Sequence, residues 1–251
     1  MKRLLLPLLL TGVAAAGEAC CGSGAAQREE TYYEKHVAFG DATQEEKLSM
    51  AARLVPTPEQ LAWQQWELTA FIHFTVNTFT DKEWGDGKES PDVFAPTEID
   101  TDQWVETLRD AGFGMVMLTA KHHDGFCLWD TKYTDYKTTA EDCPFHEHKN
   151  ADIVKSMFDA FREKGIGIGA YFSKADWHCP DYWNEELRKD GMTSRGPSYD
   201  PKEYPEVWNR FKEYTKNQVL ELCENYGKLD ILWFDAGWVC EHNGQDIDLG
   251  G

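Results

Sequence analysis

Short apolar runs alternate with amphipathic stretches along this 251-residue chain, and no other feature of the sequence constrains the fold as strongly. The apolar runs cover residues 68–74, 114–119, 166–172 and 230–234. Strands that are buried on both faces of a parallel sheet are apolar in this continuous way. Apolar residues recur at helical spacing in the stretches 102–111, 153–161 and 205–226. The sequence therefore predicts an α/β fold with four parallel strands joined by helices.

Long polar loops follow the predicted strands and carry most of the chemically interesting side chains. Functional sites of (β/α) barrels lie at the carboxyl ends of the strands, so this placement favours a TIM-like (β/α) barrel. A doubly wound sheet is the alternative, and no GxGxxG motif supports it. Four strands are only about the first four β/α units of an eight-stranded barrel. We therefore expect residues 63–251 to form a truncated barrel domain.

The first 30 residues have the pattern of an export signal. Lys2 and Arg3 precede an apolar stretch, residues 4–16, which is too short to span a bilayer. Cys20 and Cys21 follow, and either lipidation of one of them or ordinary signal cleavage fits the pattern. We expect an exported protein: periplasmic, an outer-membrane lipoprotein of a bacterium, or secreted. Residues 31–62 are predicted to be a polar N-terminal lead-in.

The overall charge argues against several classes of partner. A formal net charge of -19 repels phosphate backbones, so we expect no nucleic-acid partner. A neutral sugar is indifferent to that charge, and contact with a membrane is expected only through an N-terminal lipid anchor. Beyond the N-terminal region five cysteines remain, without a CxxC pair, so neither a disulfide framework nor a zinc site is predicted.

Polar candidates stand where each predicted strand ends. They are His73 with Glu83-Trp84 in the following loop, Lys121-His122-His123-Asp124, Tyr171, and Asp235. Glycosidases need two carboxyl groups beside the scissile bond, and an aspartate after a buried strand suits the nucleophile. The alternative for Asp235 is a helix N-cap, and its position alone favours neither.

The adjacent histidines leave three interpretations open. His122 and His123 fit hydrogen bonding to neighbouring sugar hydroxyls, a metal site, or a structural role in the loop. Metal ligands are usually spaced HxH or HxxxH, which weighs against a metal. Trp84 likewise fits either contact with a sugar or a loop residue that covers the core, and Glu83 would orient a hydroxyl in the first case.

Several strings together resemble glycoside hydrolase family twenty-nine, the α-L-fucosidases. The most specific is TAKHHDGF at residues 119–126, which is followed by LWD at 128–130. Weaker matches are FIHF at 71–74, EW at 83–84, AYFS at 170–173 and LWFD at 232–235. The resemblance covers approximately residues 66–238.

This resemblance implies an exo-acting, retaining α-L-fucosidase with a (β/α)-barrel catalytic domain. Terminal α-L-fucose would be removed from a fucosylated oligosaccharide or glycoconjugate by double displacement, with Asp235 as the nucleophile. Neither a metal nor another cofactor is implied. The fucose pocket would be formed by His73, Glu83, Trp84, His122, His123 and Tyr171.

The chain also departs from the family pattern. The family's acid/base carboxylate lies beyond the WFD strand, so we expect it to be absent from this chain and the isolated chain to be inactive. Ala236 stands where the family usually has glycine. Two alternatives remain: a non-catalytic fucose-binding remnant of the same fold, and a metal-dependent barrel hydrolase that uses His73 with the histidine pair.

Overall fold

The computed structural model describes residues 33, 37–192 and 195–249. The predicted export signal lies outside these residues. The chain divides into two compact units, residues 1–61 and 62–251. Helix α1 (Gln44–Arg53) belongs to the first unit, and a capping box between Thr43 and Glu46 fixes its beginning. Helix α2 follows at Pro58–Gln65. None of the helices in the described ranges is long and apolar enough to cross a membrane.

Four parallel strands form one sheet in chain order: β1 (Thr69–Ile72), β2 (Met115–Lys121), β3 (Gly167–Ser173) and β4 (Ile231–Asp235). Each strand pairs with the next, for example Ala70 with Val116, Val116 with Ile168, and Ala170 with Leu232. This sheet confirms the predicted parallel α/β architecture. The strands end one or two residues from the predicted positions, and Asp235 is the last residue of β4 instead of the first residue after it.

The remaining helices connect the strands. They are α3 (Asn77–Thr80), α4 (Thr101–Asp110), α5 (Ile153–Glu163) and α6 (Pro205–Asn225), with short 3-10 turns at Pro91–Val93 and Glu241–Asn243. Side chains of Asp100 and Asp152 cap α4 and α5 by accepting hydrogen bonds from backbone amides three residues on. Pro205 opens α6, where its fixed φ suits the first helical turn.

The outer face of the sheet and the helices share the main core. Val116 and Leu118 of β2 and Ile168 and Ala170 of β3 are buried in one apolar cluster with α5. Helix α5 contributes residues from one face only, namely Ile153, Val154, Met157, Phe158 and Phe161. Burial of an aliphatic or aromatic side chain of this size contributes about 1.5–3 kcal/mol, so this face fixes the helix against the sheet.

The inner face of the sheet is aromatic and strongly curved. Phe71 of β1 and Trp233 of β4 lie on opposite edge strands, yet their ring centroids are 5.4 Å apart. Tyr171 of β3 contacts both rings, at 5.7 and 5.2 Å. Such a contact requires the two edges to curl toward each other, as they do in a barrel and not in an open doubly wound sheet.

Candidate active site

Asp235 stands at the carboxyl end of β4 on the inner face of the sheet. Side chains two residues apart share a face of a strand, so Asp235 projects to the same side as Trp233. Its Oδ2 atom accepts a 2.7 Å hydrogen bond from the Tyr171 hydroxyl, and its Oδ1 atom accepts one of 2.6 Å from the Ala236 amide. His123 Nε2 is 3.7 Å from Oδ2. The carboxylate is 36% exposed, so solvent or a ligand can still reach it.

The surroundings of Asp235 favour its ionised form. Burial raises the pKa of the carboxyl, but the hydrogen bonds from Tyr171 and Ala236 and the nearby His123 outweigh burial and leave the pKa below its ordinary value. Burial, followed by the bond to Asp235, raises the pKa of the Tyr171 phenol, which therefore keeps its proton as a donor. An ionised, half-accessible carboxylate that is held from two sides can act as a nucleophile or as a base.

Ala236 adopts a φ of 65°, in the left-handed region that favours glycine. In the sequence, this alanine is a departure from the family pattern, which usually has glycine at this position. The structure gives the departure a physical meaning, because an alanine in this conformation costs about 1 kcal/mol or more. The strained backbone also aims the Ala236 amide at Asp235 Oδ1.

Three imidazoles form a row that ends beside this carboxylate. The ring centroids of His73 and His122 are 4.6 Å apart, and those of His122 and His123 are 4.2 Å apart. His122 also stacks on Tyr171 at 5.9 Å. Burial, and then the neighbouring His122, lower the pKa of His123 to about 4, and the same two causes lower the pKa of His73. At neutral pH these two rings are therefore uncharged groups that suit a neutral ligand.

Tryptophan side chains enclose His123. Trp177 and Trp238 approach its ring at centroid distances of 5.3 and 5.1 Å, and Trp84 lies 6.3 Å away. Trp84 is 42% exposed, so it presents a free aromatic surface at the edge of the site. Flat apolar rings with polar edges suit the faces of sugars.

The structure thus brings five of the predicted binding residues together with Asp235. They are His73, Trp84, His122, His123 and Tyr171. Glu83 lies beside Trp84 with an exposed side chain, and none of the contacts that join the other residues involves it. The roles predicted for these residues remain predictions.

A buried ion pair behind the histidines was not predicted from the sequence. Lys121 Nζ is 2.9 Å from Asp176 Oδ2, and neither side chain is more than 1% exposed. Gln218 Oε1 accepts a 3.0 Å bond from Lys121, and the Tyr214 hydroxyl donates one of 3.2 Å to Asp176. Burial raises the pKa of Asp176, but the Lys121 charge outweighs it, and the net direction is downward. The sequence does contain one sign of this pair, because Lys121 is a charged residue at the end of the largely apolar strand β2.

This ion pair joins the loops that follow β2 and β3. Lys121 precedes His122 directly, and Asp176 precedes Trp177, whose backbone amide donates a 2.8 Å hydrogen bond to the His123 carbonyl. Asp176 Oδ1 also accepts bonds from the amides of residues 178 and 179. The histidine pair is therefore held on a cross-linked pair of loops.

In the part of the chain that the structure describes, no group of three or more His, Cys, Asp and Glu side chains is arranged to hold a metal ion. The expectation of no metal remains a prediction.

Comparison with known proteins identifies the family. The model of the α-L-fucosidase family matches residues 47–250. Alpha-L-fucosidase 1 of Arabidopsis thaliana is 38% identical over 182 residues, which cover 72% of this chain and 31% of the plant protein. The chain therefore belongs to the α-L-fucosidase family.

Solved structures agree with this assignment. A candidate α-L-fucosidase from Bacteroides ovatus is 42% identical with a TM-score of 0.68, and the match covers 82% of this chain and 31% of that one. A family 29 α-L-fucosidase from Bacteroides thetaiotaomicron is 28% identical with a TM-score of 0.58, over 73% of this chain and 42% of that one. That structure is a covalent intermediate trapped with 2-fluoro-fucosyl fluoride in a Glu-to-Gln mutant. The sheet thus corresponds to the N-terminal part of a (β/α) barrel, and the chain spans about a third of the first two of these relatives.

Proposed function

We propose that the protein containing this α-L-fucosidase-family chain is an exo-acting, retaining α-L-fucosidase that releases terminal α-L-fucose from glycans or glycoconjugates. The observation that carries the proposal is the placement of Asp235. Its carboxylate is kept ionised by Tyr171 and lies 3.7 Å from the last ring in a row of three imidazoles. A carboxylate nucleophile is one of the two carboxyl groups that glycoside hydrolysis requires. Uncharged hydrogen-bonding groups and an exposed tryptophan suit the binding of a neutral sugar beside it.

In this proposal Asp235 attacks the anomeric carbon, and the glycosidic oxygen leaves with a proton from a general acid. The resulting covalent fucosyl-enzyme is then hydrolysed by water. The covalent intermediate trapped in the Bacteroides thetaiotaomicron relative supports this route. The Tyr171 hydrogen bond also supports the second step, because it stabilises the carboxylate that must leave. His73, His122, His123 and Trp84 would bind the hydroxyls, and these bonds would strengthen as the oxocarbenium ion forms.

The second carboxyl group is assigned to no residue of this chain. In retaining glycosidases the two carboxyl groups are about 5–5.5 Å apart, and the second donates the proton to the leaving oxygen. Acids that follow β4, such as Glu241 and Asp246, lie in the loop where the family pattern does not place that residue. Experiments on activity therefore use the protein expressed from its complete open reading frame.

We also propose export, with the charged and apolar pattern of residues 1–30 as support. N-terminal sequencing of protein from the source cell, with a test for a lipid on Cys20 or Cys21, checks this proposal. An intact Met1 in the mature protein contradicts it.

The test of the function is hydrolysis of an aryl α-L-fucoside by the full-length protein and its Asp235→Gly variant. We expect the variant to lose about 10³-fold or more of kcat. Azide should restore part of the rate by taking the vacated position and bonding to the anomeric carbon as the aryloxide leaves, giving a fucosyl azide of inverted configuration. Asp248→Gly is the matched control, because Asp248 is an exposed acid after β4 whose φ of 56° suits glycine.

Three results would contradict parts of the proposal. Near-normal rates in Asp235→Gly would remove Asp235 from the role of nucleophile. Binding of L-fucose without any turnover by the parent would favour the fucose-binding remnant. One tightly held metal ion per chain in the active protein would favour the metal-dependent hydrolase.

A further inference from the structure

Ser173 is the last residue of β3 and lies directly beside Asp235 in the strand register. Its side chain is fully buried. The hydroxyl oxygen is 2.7 Å from His123 Nδ1 and also 2.7 Å from the backbone carbonyl oxygen of Ala175. Ser173 therefore neighbours Asp235 in the sheet and contacts His123, the histidine whose other ring nitrogen faces Asp235.

The two short contacts of Ser173 determine where the protons are. A carbonyl oxygen can only accept a hydrogen bond, so the single hydroxyl proton of Ser173 is directed to Ala175. The Ser173 oxygen must then accept at its other contact, and the donor there is Nδ1 of His123. His123 consequently carries its proton on Nδ1. In a neutral imidazole with that tautomer, Nε2 has a free lone pair and is an acceptor.

The ring is neutral for reasons that are independent of Ser173. His123 is only 3% exposed and lies 4.2 Å from the His122 ring, and both features disfavour a positive charge. They lower its pKa to about 4. The acceptor Nε2 therefore faces the ionised Asp235 carboxylate across 3.7 Å, a distance too long for a hydrogen bond. Two acceptors that face each other in this way need a donor between them.

We propose that Ser173 is a positioning residue that fixes the tautomer of His123, so that His123 Nε2 accepts a hydrogen bond from one hydroxyl group of the bound sugar beside Asp235. This inference rests on the proposed function and specifies how the site selects its substrate. The selected sugar must present a hydroxyl donor at this position. Neither a deoxy analogue nor an O-methylated one can donate a hydrogen bond at this position, so each leaves Nε2 buried without a partner.

The kinetic test pairs Ser173→Ala with a set of substrates. Values of kcat/KM are measured for an aryl α-L-fucoside and for its 2-deoxy, 3-deoxy and 4-deoxy analogues, in the full-length protein. We expect Ser173→Ala to lower kcat/KM for the complete sugar by roughly 10- to 100-fold. With the one analogue that lacks the interacting hydroxyl, the variant and the parent should differ by less than about 3-fold.

Thr215→Val is the matched control. Thr215 lies on α6 with a fully buried hydroxyl that has no hydrogen-bond partner in the described structure, so the substitution also removes a buried hydroxyl. It should change kcat/KM by the same small factor for all four substrates. An equal loss with every substrate in Ser173→Ala would overturn the proposal, because a merely structural residue does not distinguish one hydroxyl from the others.

A second measurement does not depend on turnover. Nitrogen-15 NMR of the imidazole rings in the full-length protein, with the His123 signals identified by their loss in His123→Gln, reports which nitrogen carries the proton. We expect protonated Nδ1 and unprotonated Nε2 in the parent, and a loss of this preference in Ser173→Ala. The opposite tautomer in the parent overturns the inference. An unchanged preference in Ser173→Ala also overturns it. If the parent hydrolyses no fucoside but shows the expected tautomer, and Ser173→Ala loses it, the proposed function fails and the control of the tautomer by Ser173 stands.

Discussion

The Tyr171 hydroxyl donates a 2.7 Å hydrogen bond to Oδ2 of Asp235 and thereby ties the inner faces of β3 and β4 together at their carboxyl ends. In the strand register Tyr171 is opposite Trp233, so the long phenol reaches one side-chain row further along the neighbouring strand. Burial and then the bond raise the pKa of Tyr171, which stays protonated. Burial raises the pKa of Asp235, but the bond from Tyr171 and its other neighbours outweigh burial, so the carboxyl stays ionised.

Tyr171→Phe should move the acidic limb of the pH profile of kcat/KM to higher pH. The variant removes a donor that lowers the pKa of Asp235, so Asp235 takes up its proton at a higher pH than in the parent. At neutral pH we expect a loss of about 10-fold in kcat/KM. Tyr133→Phe, at an exposed tyrosine in the loop after β2, is the control. An acidic limb that does not move would show that other groups keep Asp235 ionised.

The sequence indicated which polar residues would lie close together, but not which contacts hold them in place. Parallel strands bring their carboxyl ends to one edge, so the polar residues His73, His122 and Tyr171 at the ends of β1, β2 and β3 had to approach the end of β4 once the strands were identified. The Lys121–Asp176 pair joins residues 55 positions apart through the path of a loop, and periodicity contains no information on such a path. Local spacing alone likewise could not predict the left-handed φ of Ala236.

The Lys121–Asp176 pair should be essential for stability. Lys121→Met leaves Asp176 charged and unpaired in a fully buried position, which costs about 3–5 kcal/mol. Equilibrium unfolding in urea measures this cost. Lys155→Met breaks the exposed 2.6 Å pair with Asp159 on α5 and should change the free energy of unfolding by less than about 1 kcal/mol. Equal effects of the two variants would mean that solvent or another cation replaces Lys121.

His122→Ala should weaken both binding and turnover of an aryl α-L-fucoside in the full-length protein. The ring packs between His73, His123 and Tyr171, so its removal deletes a polar group of the pocket and loosens its neighbours. We expect kcat/KM to fall by roughly 10- to 100-fold. His242→Ala, at an exposed histidine in the 3-10 turn after β4, should leave kcat/KM unchanged. If His122→Ala keeps the parent's kcat/KM, His122 has a structural role only.

Gly125→Ala should damage the site far more than Gly112→Ala, although both glycines have nearly the same left-handed backbone, with φ of 89° and 85°. The strain of an alanine in this conformation, about 1–3 kcal/mol, is therefore common to the two variants. A Cβ atom on Gly112 meets nothing within 4 Å, whereas one on Gly125 would collide with Asp176 Oδ1.

Asp176 cannot easily move away from that Cβ atom, because Lys121 and two backbone amides hold its carboxylate. The loop must shift instead, two residues from His123. We expect Gly125→Ala to lose at least about 2 kcal/mol more stability than Gly112→Ala. In the full-length protein it should also lose most of the kcat/KM for an aryl α-L-fucoside, while Gly112→Ala keeps the parent's kcat/KM. Urea unfolding and aryl fucoside kinetics measure the two effects. If Gly125→Ala keeps both its stability and its kcat/KM, the ion pair does not position the histidines. If the variant is stable but inactive, the loop has moved to accommodate the Cβ atom and has displaced the residues of the site.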